Sequence, residues 1–345
     1  MLKVGVVGAT GYTGLELVRL LMGHPQVKLS HLTSEGFAGK SISEVFPSLR
    51  GMVDLHLSPL RPEEVAEAAD CIFTALPHGV SQRVVPSLVA LGKRVVDLSA
   101  DFRLRDGAIY ERYYGPHGAQ ELLKEAVYGL PELNRGAIEG TRLVANPGCY
   151  PTAAILSLAP LIREGWVELE GIVIDAKSGV SGAGRALSIT NHYCEANESC
   201  QAYQVGVHRH TPEMEQELSL LAGQPINITF TPHLIPMNRG ILTTVYATLK
   251  SIRSLSQLRG LFQEFYRGSP FIRILPSGEG PNTAHVKGSN FLDLGLFPDE
   301  RTGRVIVVSA LDNLVKGGAG QAIQNMNIMY GFDEATGLGL TPCFP

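Results

Sequence analysis

The 345-residue sequence is short of several features, and each shortage excludes a class of protein. Charged residues make up only 18% of the chain and the formal net charge is −4, which argues against general binding to nucleic acid or to an acidic membrane surface. Cysteines are few, odd in number and unevenly spaced: Cys71, Cys149, Cys194, Cys200 and Cys343. This is not a disulfide framework, so we expect reduced thiols and a cytoplasmic protein.

Long hydrophobic runs, internal repeats and low-complexity segments are also missing from the sequence. No apolar run approaches the roughly 18 residues of a membrane span. The first three residues lead directly into an apolar segment that we interpret as a strand, so we expect no signal peptide. The chain is longer than the roughly 250–300 residues at which a single hydrophobic core stops growing, and this predicts more than one domain.

The hydrophobic pattern predicts an α/β protein with two domains. Short β-rich runs at 3–8, 27–33, 71–76 and 94–99 alternate with helical runs at 15–21 and 80–91, which is typical of a Rossmann-like, doubly wound parallel sheet. Longer strands follow at 171–176, 226–230, 240–249 and 304–311, with helices at 211–221, 254–267 and 317–329. We therefore expect a mixed-sheet α+β domain at 148–316, and a first domain formed by 1–147 with 317–345.

One cysteine stands where a helix should begin. Asn146-Pro147-Gly148 is a turn signal, and Pro151 suits the first turn of a helix that we expect to reach about Pro160. Cys149 would then face unpaired N–H groups at the positive end of the helix dipole. A thiol there loses its proton more easily than a free one, whose pKa is about 8.5, and the same N–H groups can hold an oxyanion. The alternative is a small buried hydrophobic residue.

A glycine-rich stretch follows the first predicted strand and opens the first predicted helix. Its spacing, Gly8-Ala-Thr-Gly11-Tyr-Thr-Gly14, is G-x-x-G-x-x-G rather than the more specific G-x-G-x-x-G. Glycines in this place allow a tight turn and let a pyrophosphate sit on the helix N-terminus. With a strand before it and a helix after it, the loop predicts dinucleotide binding, and a plain glycine turn is the alternative.

The end of the second predicted strand gives conflicting indications about the cofactor. Glu35 lies about 20 positions past the glycines, where an acidic residue holds a ribose hydroxyl and favours NAD. Ser34 and Lys40 instead offer a hydroxyl and a cation to the 2′-phosphate of NADP. Glu35 pointing into solvent is the third possibility.

Two histidines lie just before another predicted helix. In His208-Arg209-His210, both rings precede Thr211, a good N-cap residue, and Pro212, which fits the first helical position. The helix dipole disfavours the protonated imidazole, whereas a nearby thiolate favours it, and the balance stays open. We interpret the pair as acid–base candidates, with solvated loop histidines as the alternative.

Further candidates lie in a loop and at two arginines. Residues 178–185 form a small-residue loop at a strand end, which suits close approach to a flat ring or a phosphate and could equally be a plain surface loop. Arg103 and Arg239 follow predicted strands, and arginine recognises carboxylates and phosphates through a planar pair of donors. Surface salt bridges are the alternative for both. Cys194 and Cys200 lack the paired spacing of a zinc site, so we expect no metal.

These motifs together resemble the N-acetyl-gamma-glutamyl-phosphate reductases, a family within the aspartate-semialdehyde dehydrogenase superfamily. The matching segments run in the family's order over nearly the whole chain, at residues 8–14, 38–40, 76–79, 97–103, 128–132, 146–152, 178–184, 208–213, 233–240 and 312–317. The segments around Cys149 and His208 are the most specific.

The resemblance implies that Cys149 attacks an acyl phosphate, expels phosphate and forms a thioester, which NADPH reduces to N-acetylglutamate semialdehyde. The resemblance also implies that His208 activates the thiol and protonates the thiohemiacetal oxygen, and that His210 has a supporting role. The implied substrate contacts are Arg103, Asn146 and Arg239. The implied NADP contacts are Gly8, Thr10, Gly11, Tyr12, Thr13, Gly14, Ser34, Lys40, Pro77, Ser181, Gly182 and Asn313. A dimer or tetramer formed through the second domain is also implied.

Three alternatives remain open in the sequence. Many family members carry arginine where this chain has Glu35, which leaves NAD possible as the cofactor. A related reductase would act on aminoadipyl or aspartyl phosphate, because pocket width is not written in one sequence. A dinucleotide-binding sensor without catalytic activity would share the glycine loop, but it would have no use for a reactive Cys149 or for His208.

Overall fold

In the computed structural model, residues 1–344 are described and the chain forms two compact units. The first unit consists of Met1–Pro147 and Gly318–Gly339. The second consists of Gly148–Gly317 and the residues from Leu340 onward.

The last residues do not follow the predicted boundary, which placed all of 317–345 in the first domain. The Cys343 N–H donates to the Lys287 carbonyl at 2.8 Å, and the Phe344 ring lies 5.7 Å from that of His285. These contacts attach residues 340–344 to the second unit. Pro345, the final residue of the predicted range, lies outside the described residues.

A parallel sheet of seven strands forms the centre of the first unit. Its strands are β1 (Leu2–Val7), β2 (Val27–Thr33), β3 (Leu57–Ser58), β4 (Cys71–Thr74), β5 (Arg94–Asp97), β6 (Val127–Tyr128) and β7 (Leu143–Ala145). They lie in the order β3-β2-β1-β4-β5-β7-β6, so the order reverses between β1 and β4. This confirms the doubly wound sheet. Ligands of such sheets bind beyond the carboxyl ends of the strands at the reversal.

Helices cover both faces of this sheet. The helices that alternate with the strands are α1 (Tyr12–Met22), α2 (Ile42–Val45), α3 (Pro62–Ala68), α4 (Ser81–Ala90), α5 (Gly107–Tyr114) and α6 (Pro131–Gly140). On one face, Val7, Ile72 and Val95 pack with Val65 of α3 and Leu88 of α4. Because successive residues of a strand point to opposite faces, both faces need apolar residues, which explains the nearly continuous apolar strands.

The second unit is built on a mixed sheet, as expected. Its seven strands are β8 (Ile172–Gly179), β9 (Gln201–Ala202), β10 (Ile228–Ile235), β11 (Ile241–Thr248), β12 (Ile272–Ile274), β13 (Leu292–Asp299) and β14 (Arg304–Leu311). They lie in the order β12-β13-β14-β11-β8-β10-β9. The pairs β8–β10 and β12–β13 are parallel and the other neighbours are antiparallel.

One buried helix organises the second unit. Its helices are α7 (Cys149–Arg163), α8 (Tyr193–Ala196), α9 (Thr211–Ala222) and α10 (Leu255–Phe265). Every residue of α7 from Tyr150 to Ile162 is buried, and the helix packs against β11, β14 and α9. It runs three residues past Pro160, where the sequence predicted its end, because packing on all sides outweighs the one hydrogen bond that a proline removes.

The chain returns to the first unit in a polar but buried helix, α11 (Gly320–Met329), after a π-helical turn at Val315–Ala319. The side-chain amides of Gln321 and Asn325 both donate to the Gly129 carbonyl, at 2.9 and 2.8 Å. A Cβ atom at Gly129 would collide with Asn325, so this glycine is needed for the approach of α11. Among residues 1–344, no helix is long and apolar enough to cross a membrane.

Candidate active site

Cys149 is the first residue of α7, at the helix start that the sequence predicts. The N-cap residue is Gly148, which has no side chain to satisfy the N–H groups of the first turn. The Cys149 side chain is half-buried and is not part of a disulfide bond. A thiolate in this position is stabilised by the positive end of the helix dipole.

Glu213 fixes the turn that precedes Cys149. Its Oε1 accepts the Gly148 N–H at 2.8 Å, and its side chain is only 2% exposed. The sequence gave no sign of this contact. The two residues are 65 positions apart and meet because α7 packs against α9. The carboxylate therefore sets the entry angle of the chain into α7.

Gly317 closes the other side of Cys149. A Cβ atom at Gly317 would lie 2.8 Å from the Cβ atom of Cys149 and 3.2 Å from its Cα atom. The Gly317 N–H donates to the Asp312 carbonyl at 2.9 Å, which anchors the π-helical turn at this short distance. Only glycine fits here without displacing the cysteine. Single π-helical turns are frequent at functional sites.

His208 and His210 lie beside Tyr150, the residue that follows Cys149. Their ring centroids are 5.6 and 5.9 Å from that of Tyr150, and 4.8 Å from each other. Burial, reinforced by the positive charge of Arg209, lowers the pKa of His208 to about 4. His208 is therefore neutral at pH 7. The sequence left the protonation state of this ring open, and burial favours the neutral form.

A main-chain hydrogen bond selects the tautomer of His208. The His210 N–H donates to His208 Nδ1 at 3.0 Å. Since Nδ1 accepts a hydrogen bond, the neutral ring carries its proton on Nε2. In this state His208 offers Nε2–H as a donor to a thiolate or an oxyanion, and it has no lone pair on Nε2 to take the thiol proton.

Two tyrosines complete the surroundings of the cysteine. The Tyr203 hydroxyl donates to the Tyr150 hydroxyl at 3.2 Å, and Tyr150 donates to the His233 carbonyl at 3.3 Å. Burial raises the pKa of Tyr203 to about 12, and the negative charge of the Cys149 thiolate raises it too. Burial likewise raises the pKa of Tyr150. Both phenols therefore stay protonated, and both lie within electrostatic range of the thiolate.

The glycine loop of the first unit has the conformation that a phosphate cradle needs. Gly8 has a φ of 85°, and Cβ atoms at Gly8 and Gly14 would collide with main-chain carbonyl oxygens. Gly11 is the N-cap residue of α1 and has no side chain with which to cap the first turn, which contains Tyr12 and Thr13. The first N–H groups of α1 thus suit an anion such as a pyrophosphate.

A hydrogen bond joins the glycine loop to the end of β2, where the sequence gave conflicting indications about the cofactor. The hydroxyls of Thr10 and Ser34 lie 2.8 Å apart. Glu35 Oε1 accepts the Leu60 N–H at 2.8 Å, so this carboxylate has a main-chain partner beyond β3. Lys40 is exposed and its ammonium group lies 5.8 Å from the centre of the Phe37 ring. The contact of Glu35 with Leu60 was not among the sequence alternatives.

Arg103 and Asn146, the predicted substrate residues of the first unit, are both buried. Arg103 donates from Nε to the Asn146 carbonyl at 2.7 Å and from Nη2 to the Leu98 carbonyl at 2.8 Å. The Asn146 side chain accepts from Asn325 at 3.0 Å and donates to the Gly318 carbonyl at 3.3 Å. These contacts hold the backbone at the end of β7, and substrate contact remains a prediction for both residues.

Pro77 lies in the exposed loop after β4. The buried carboxylate of Asp101 holds this loop by accepting the N–H groups of Gly79 at 2.8 Å and Gln82 at 3.0 Å. It also accepts the Tyr110 hydroxyl at 2.7 Å. Pro77, Arg103 and the glycine loop thus follow the carboxyl ends of β4, β5 and β1, the edge at which ligands of such sheets bind.

The remaining predicted residues meet in the second unit. Asn313 accepts the Gly240 N–H on Oδ1 at 2.8 Å and donates from Nδ2 to the Ser181 hydroxyl at 3.0 Å. A Cβ atom at Gly182 would lie 3.7 Å from Asn313 Nδ2, so the loop passes close to this amide. Arg239 precedes Gly240. The structure therefore groups Ser181, Gly182, Arg239 and Asn313.

Comparison with known proteins assigns the family. Residues 3–141 match the family described as "Semialdehyde dehydrogenase, NAD binding domain", and residues 149–313 match "Semialdehyde dehydrogenase, dimerisation domain". The N-acetyl-gamma-glutamyl-phosphate reductase of Geobacter metallireducens is 60% identical over 346 residues and covers 100% of both chains. That of Geobacter sulfurreducens is 60% identical over 98% of both chains. The chain belongs to the N-acetyl-gamma-glutamyl-phosphate reductase family.

Solved structures agree on the fold. Aspartate semialdehyde dehydrogenase II from Vibrio cholerae aligns with a TM-score of 0.73 at 18% identity, over 96% of this chain and 98% of that one. Aspartate semialdehyde dehydrogenase with NADP from Candida albicans aligns with a TM-score of 0.70 at 16% identity, over the same shares of the two chains. The family predicted from the motifs is confirmed, and the protein is an enzyme of the semialdehyde dehydrogenase class.

The family's two domains divide the predicted residues between them. The NAD-binding domain includes the glycine loop, Ser34, Lys40, Pro77 and Arg103. The dimerisation domain includes the cysteine, both histidines and the group around Asn313. The first unit therefore binds a nicotinamide dinucleotide. Within residues 1–344, no three histidine, cysteine, aspartate or glutamate side chains are grouped to hold a metal ion.

Proposed function

We propose that this enzyme reduces N-acetyl-gamma-glutamyl phosphate to N-acetylglutamate semialdehyde and phosphate, with NADPH, in arginine biosynthesis. The observation that carries this proposal is the half-buried thiol of Cys149 at the start of α7. The identity of 60% to reductases of this name, over nearly the full length of both chains, supports the choice of substrate.

Cys149 acts as the nucleophile in this proposal. Its thiolate attacks the carbonyl carbon of the acyl phosphate, so that a C–S bond forms and phosphate leaves with the electrons of the C–O bond. The glycine loop would hold NADPH, which when bound would supply the hydride for reduction of the resulting thioester. The oxygen of the resulting thiohemiacetal then re-forms a carbonyl, and the C–S bond breaks to return the thiolate.

Hydrogen-bond donors around Cys149 stabilise the charge that develops on the substrate oxygen. The first-turn N–H groups of α7 are preorganised by Gly148 and by its bond to Glu213. The Nε2–H of His208 is a further donor, because the bond from His210 fixes its tautomer. Preorganised donors of this kind contribute about 10²–10³ each to kcat. In the family's mechanism His208 also moves a proton, which here requires the His210 bond to open.

Inorganic phosphate is expected to be an obligatory co-substrate when the enzyme oxidises the semialdehyde. The thioester on Cys149 needs a nucleophile to release the acyl group, and phosphate is that nucleophile, held by an arginine such as Arg103 or Arg239. Without phosphate we expect at most one turnover per site. The measurement is NADP reduction with N-acetylglutamate semialdehyde, with and without phosphate. Sustained NADPH formation in phosphate-free buffer would instead show hydrolysis by a true aldehyde dehydrogenase.

The same assay separates the related substrates. Wild-type enzyme is expected to use N-acetylglutamate semialdehyde in preference to the semialdehydes of aminoadipate or aspartate.

We further propose a homo-oligomer formed through the second unit, which matches the dimerisation domain. A reducing, cytoplasmic compartment suits an enzyme whose nucleophile and other four cysteines form no disulfide bond.

For the cofactor we propose NADP with a reduced preference over NAD. In this proposal Ser34 and Lys40 offer a hydroxyl and a cation to the 2′-phosphate. The negative charge of Glu35 repels a 2′-phosphate. One of its carboxylate oxygens, however, accepts a hydrogen bond from the Leu60 N–H and is held at the backbone. This contact supports NADP over NAD.

Replacement of Glu35 tests the cofactor proposal. Glu35→Arg is expected to raise NADP affinity by at most one charge-assisted contact, about 1.5–3 kcal/mol. Glu35→Gln is the matched control, because it keeps an acceptor for the Leu60 N–H and removes only the charge. The ratio of kcat/KM for NADP to that for NAD should rise in both variants, and more with arginine. A wild-type ratio that favours NAD by tenfold or more would overturn the NADP assignment.

A further inference from the structure

The carboxylate of Asp312 is fully buried and uses both oxygens. Oδ1 accepts the N–H groups of Leu314 at 2.8 Å and Val315 at 3.2 Å, and Oδ2 accepts the Gly288 N–H at 2.7 Å. A buried carboxylate is costly without such partners, and three main-chain donors fix its position. Asp312 lies directly after β14, between that strand and the π-helical turn.

One arginine lies against this fixed carboxylate. Arg239 Nη1 is 3.5 Å from Asp312 Oδ2, and the arginine side chain is 28% exposed. Asp312 is therefore a rigid anchor at one edge of a partly exposed guanidinium group. An arginine is flexible by itself, and a fixed anionic partner reduces the entropy it loses when it binds a carboxylate or phosphate.

Asp312 also contacts the turn that packs against Cys149. The Asp312 carbonyl accepts the Gly317 N–H at 2.9 Å, and Gly317 packs against Cys149. The next residue, Asn313, holds the Gly240 N–H beside Arg239. A single aspartate thus sets the position of the arginine and of the turn that closes on the cysteine.

We propose that Asp312 is a positioning residue that aligns Arg239 to bind an oxyanion of the substrates, either the phosphate or the carboxylate of the semialdehyde. This inference rests on the proposed function, and it assigns to that site a residue that never touches the substrate. The Asp312 carboxylate acts on oxyanion binding through Arg239, so its effect on KM must disappear when the arginine is absent.

The test is a double-mutant cycle of Asp312→Asn and Arg239→Gln, measured in the semialdehyde-oxidising direction. Asp312→Asn keeps the side-chain size and one acceptor oxygen but removes the charge. We expect it to raise the KM for phosphate or for the semialdehyde about tenfold, the loss of roughly one charge-assisted hydrogen bond, with kcat within about threefold. Which of the two KM values rises identifies the oxyanion. In the Arg239→Gln background the same substitution should leave both KM values unchanged.

The matched control is Asp293→Asn. Asp293 is also buried, at 2% exposure, and pairs with Arg273 through contacts of 2.5 and 2.9 Å, but it lies on β13 and outside the group around Asn313. This variant should lose thermal stability without a change in either KM. If Asp312→Asn behaved in the same way, or if the two substitutions of the cycle were additive in KM, the positioning role would be refuted.

A readout without turnover separates this inference from the proposed function. Phosphate, or the semialdehyde carboxylate, should slow iodoacetamide alkylation of Cys149 in the wild type, and Asp312→Asn should weaken that protection. Protection without any phosphate-dependent turnover would refute the reaction but keep the anion site, whereas equal protection in wild type and variant would refute the site. Should Asp312→Asn not fold, Arg239→Lys carries the test. Lysine keeps the charge but not the planar group that Asp312 aligns, so the same rise in KM is expected.

Discussion

Cys149→Ser is expected to abolish turnover while leaving the fold and cofactor binding intact. The thiol lies at the start of α7, where the helix dipole stabilises its thiolate, and a serine hydroxyl is not deprotonated at neutral pH. Serine is close in size, so it fits against Gly317 as cysteine does. The measurement is kcat in both directions, together with NADPH binding by fluorescence and the thermal melting temperature.

Cys194→Ser is the matched control for this variant, since Cys194 is an exposed free thiol in the same unit and should be silent. Iodoacetamide at pH 6.5 should label Cys149 of the wild type first. A Cys149→Ser enzyme that kept even a tenth of the wild-type rate would rule out thioester catalysis at this residue. Uniform labelling of the exposed cysteines, without preference for Cys149, would point to a dinucleotide sensor instead.

Local signals were enough to predict most elements around the site. The turn before Cys149 and the glycine loop after β1 act through neighbours in sequence, and each lies where it was predicted. The start of α9 differs from the prediction by one residue: His210 is the N-cap residue, and Thr211 and Pro212 are the first two helical residues. The apolar runs predicted the bounds of two strands correctly. These are β2 at Val27–Thr33 and β14 at Arg304–Leu311. These features depend on backbone preferences and burial, which a sequence displays directly.

Features that depend on packing between distant segments escaped prediction. β13 was missed although Leu292, Leu294 and Leu296 alternate, because Asp293 and Gly295 are poor strand formers. The structure supplies their reasons: Asp293 pairs with Arg273 of β12, and a Cβ atom at Gly295 would lie 2.7 Å from Pro281. Both partners are known only once the sheet is assembled.

The same limit applies to the chemistry of the site. The contact of Glu213 with Gly148 and that of Glu35 with Leu60 join residues 65 and 25 positions apart, and no spacing rule predicts them. The protonation of His208 depends on burial that only the folded chain creates. The sequence therefore offered candidates for the reacting groups, whereas the structure was needed to say how each one is held.

His208→Asn is expected to lower kcat by about 10²–10⁴, the usual range for the loss of a catalytic acid, base or oxyanion donor. His210→Asn should cost less and act more on substrate binding, because His210 supports the site through the N–H that it donates to His208 Nδ1, and this N–H survives the substitution. Steady-state kinetics of both variants provide the measurement. A larger loss in kcat for His210→Asn would reverse the two roles.

His208→Gln tests what the imidazole contributes. A glutamine amide reaches the position of Nε2 and can donate there, whereas the shorter asparagine cannot, so glutamine should retain more of the rate if His208 acts mainly as a donor.

The pH profile gives a second test. The pKa of His208 is lowered to about 4, so the ring is neutral above that value and gains a proton only as the pH falls through it. Between pH 5 and pH 8 the wild-type rate should therefore show no ionisation of His208. A limb near pH 6.5 that His208→Gln removes would show that His208 ionises near the ordinary pKa of histidine, and would contradict both the lowered pKa and a neutral ring held by the bond from His210.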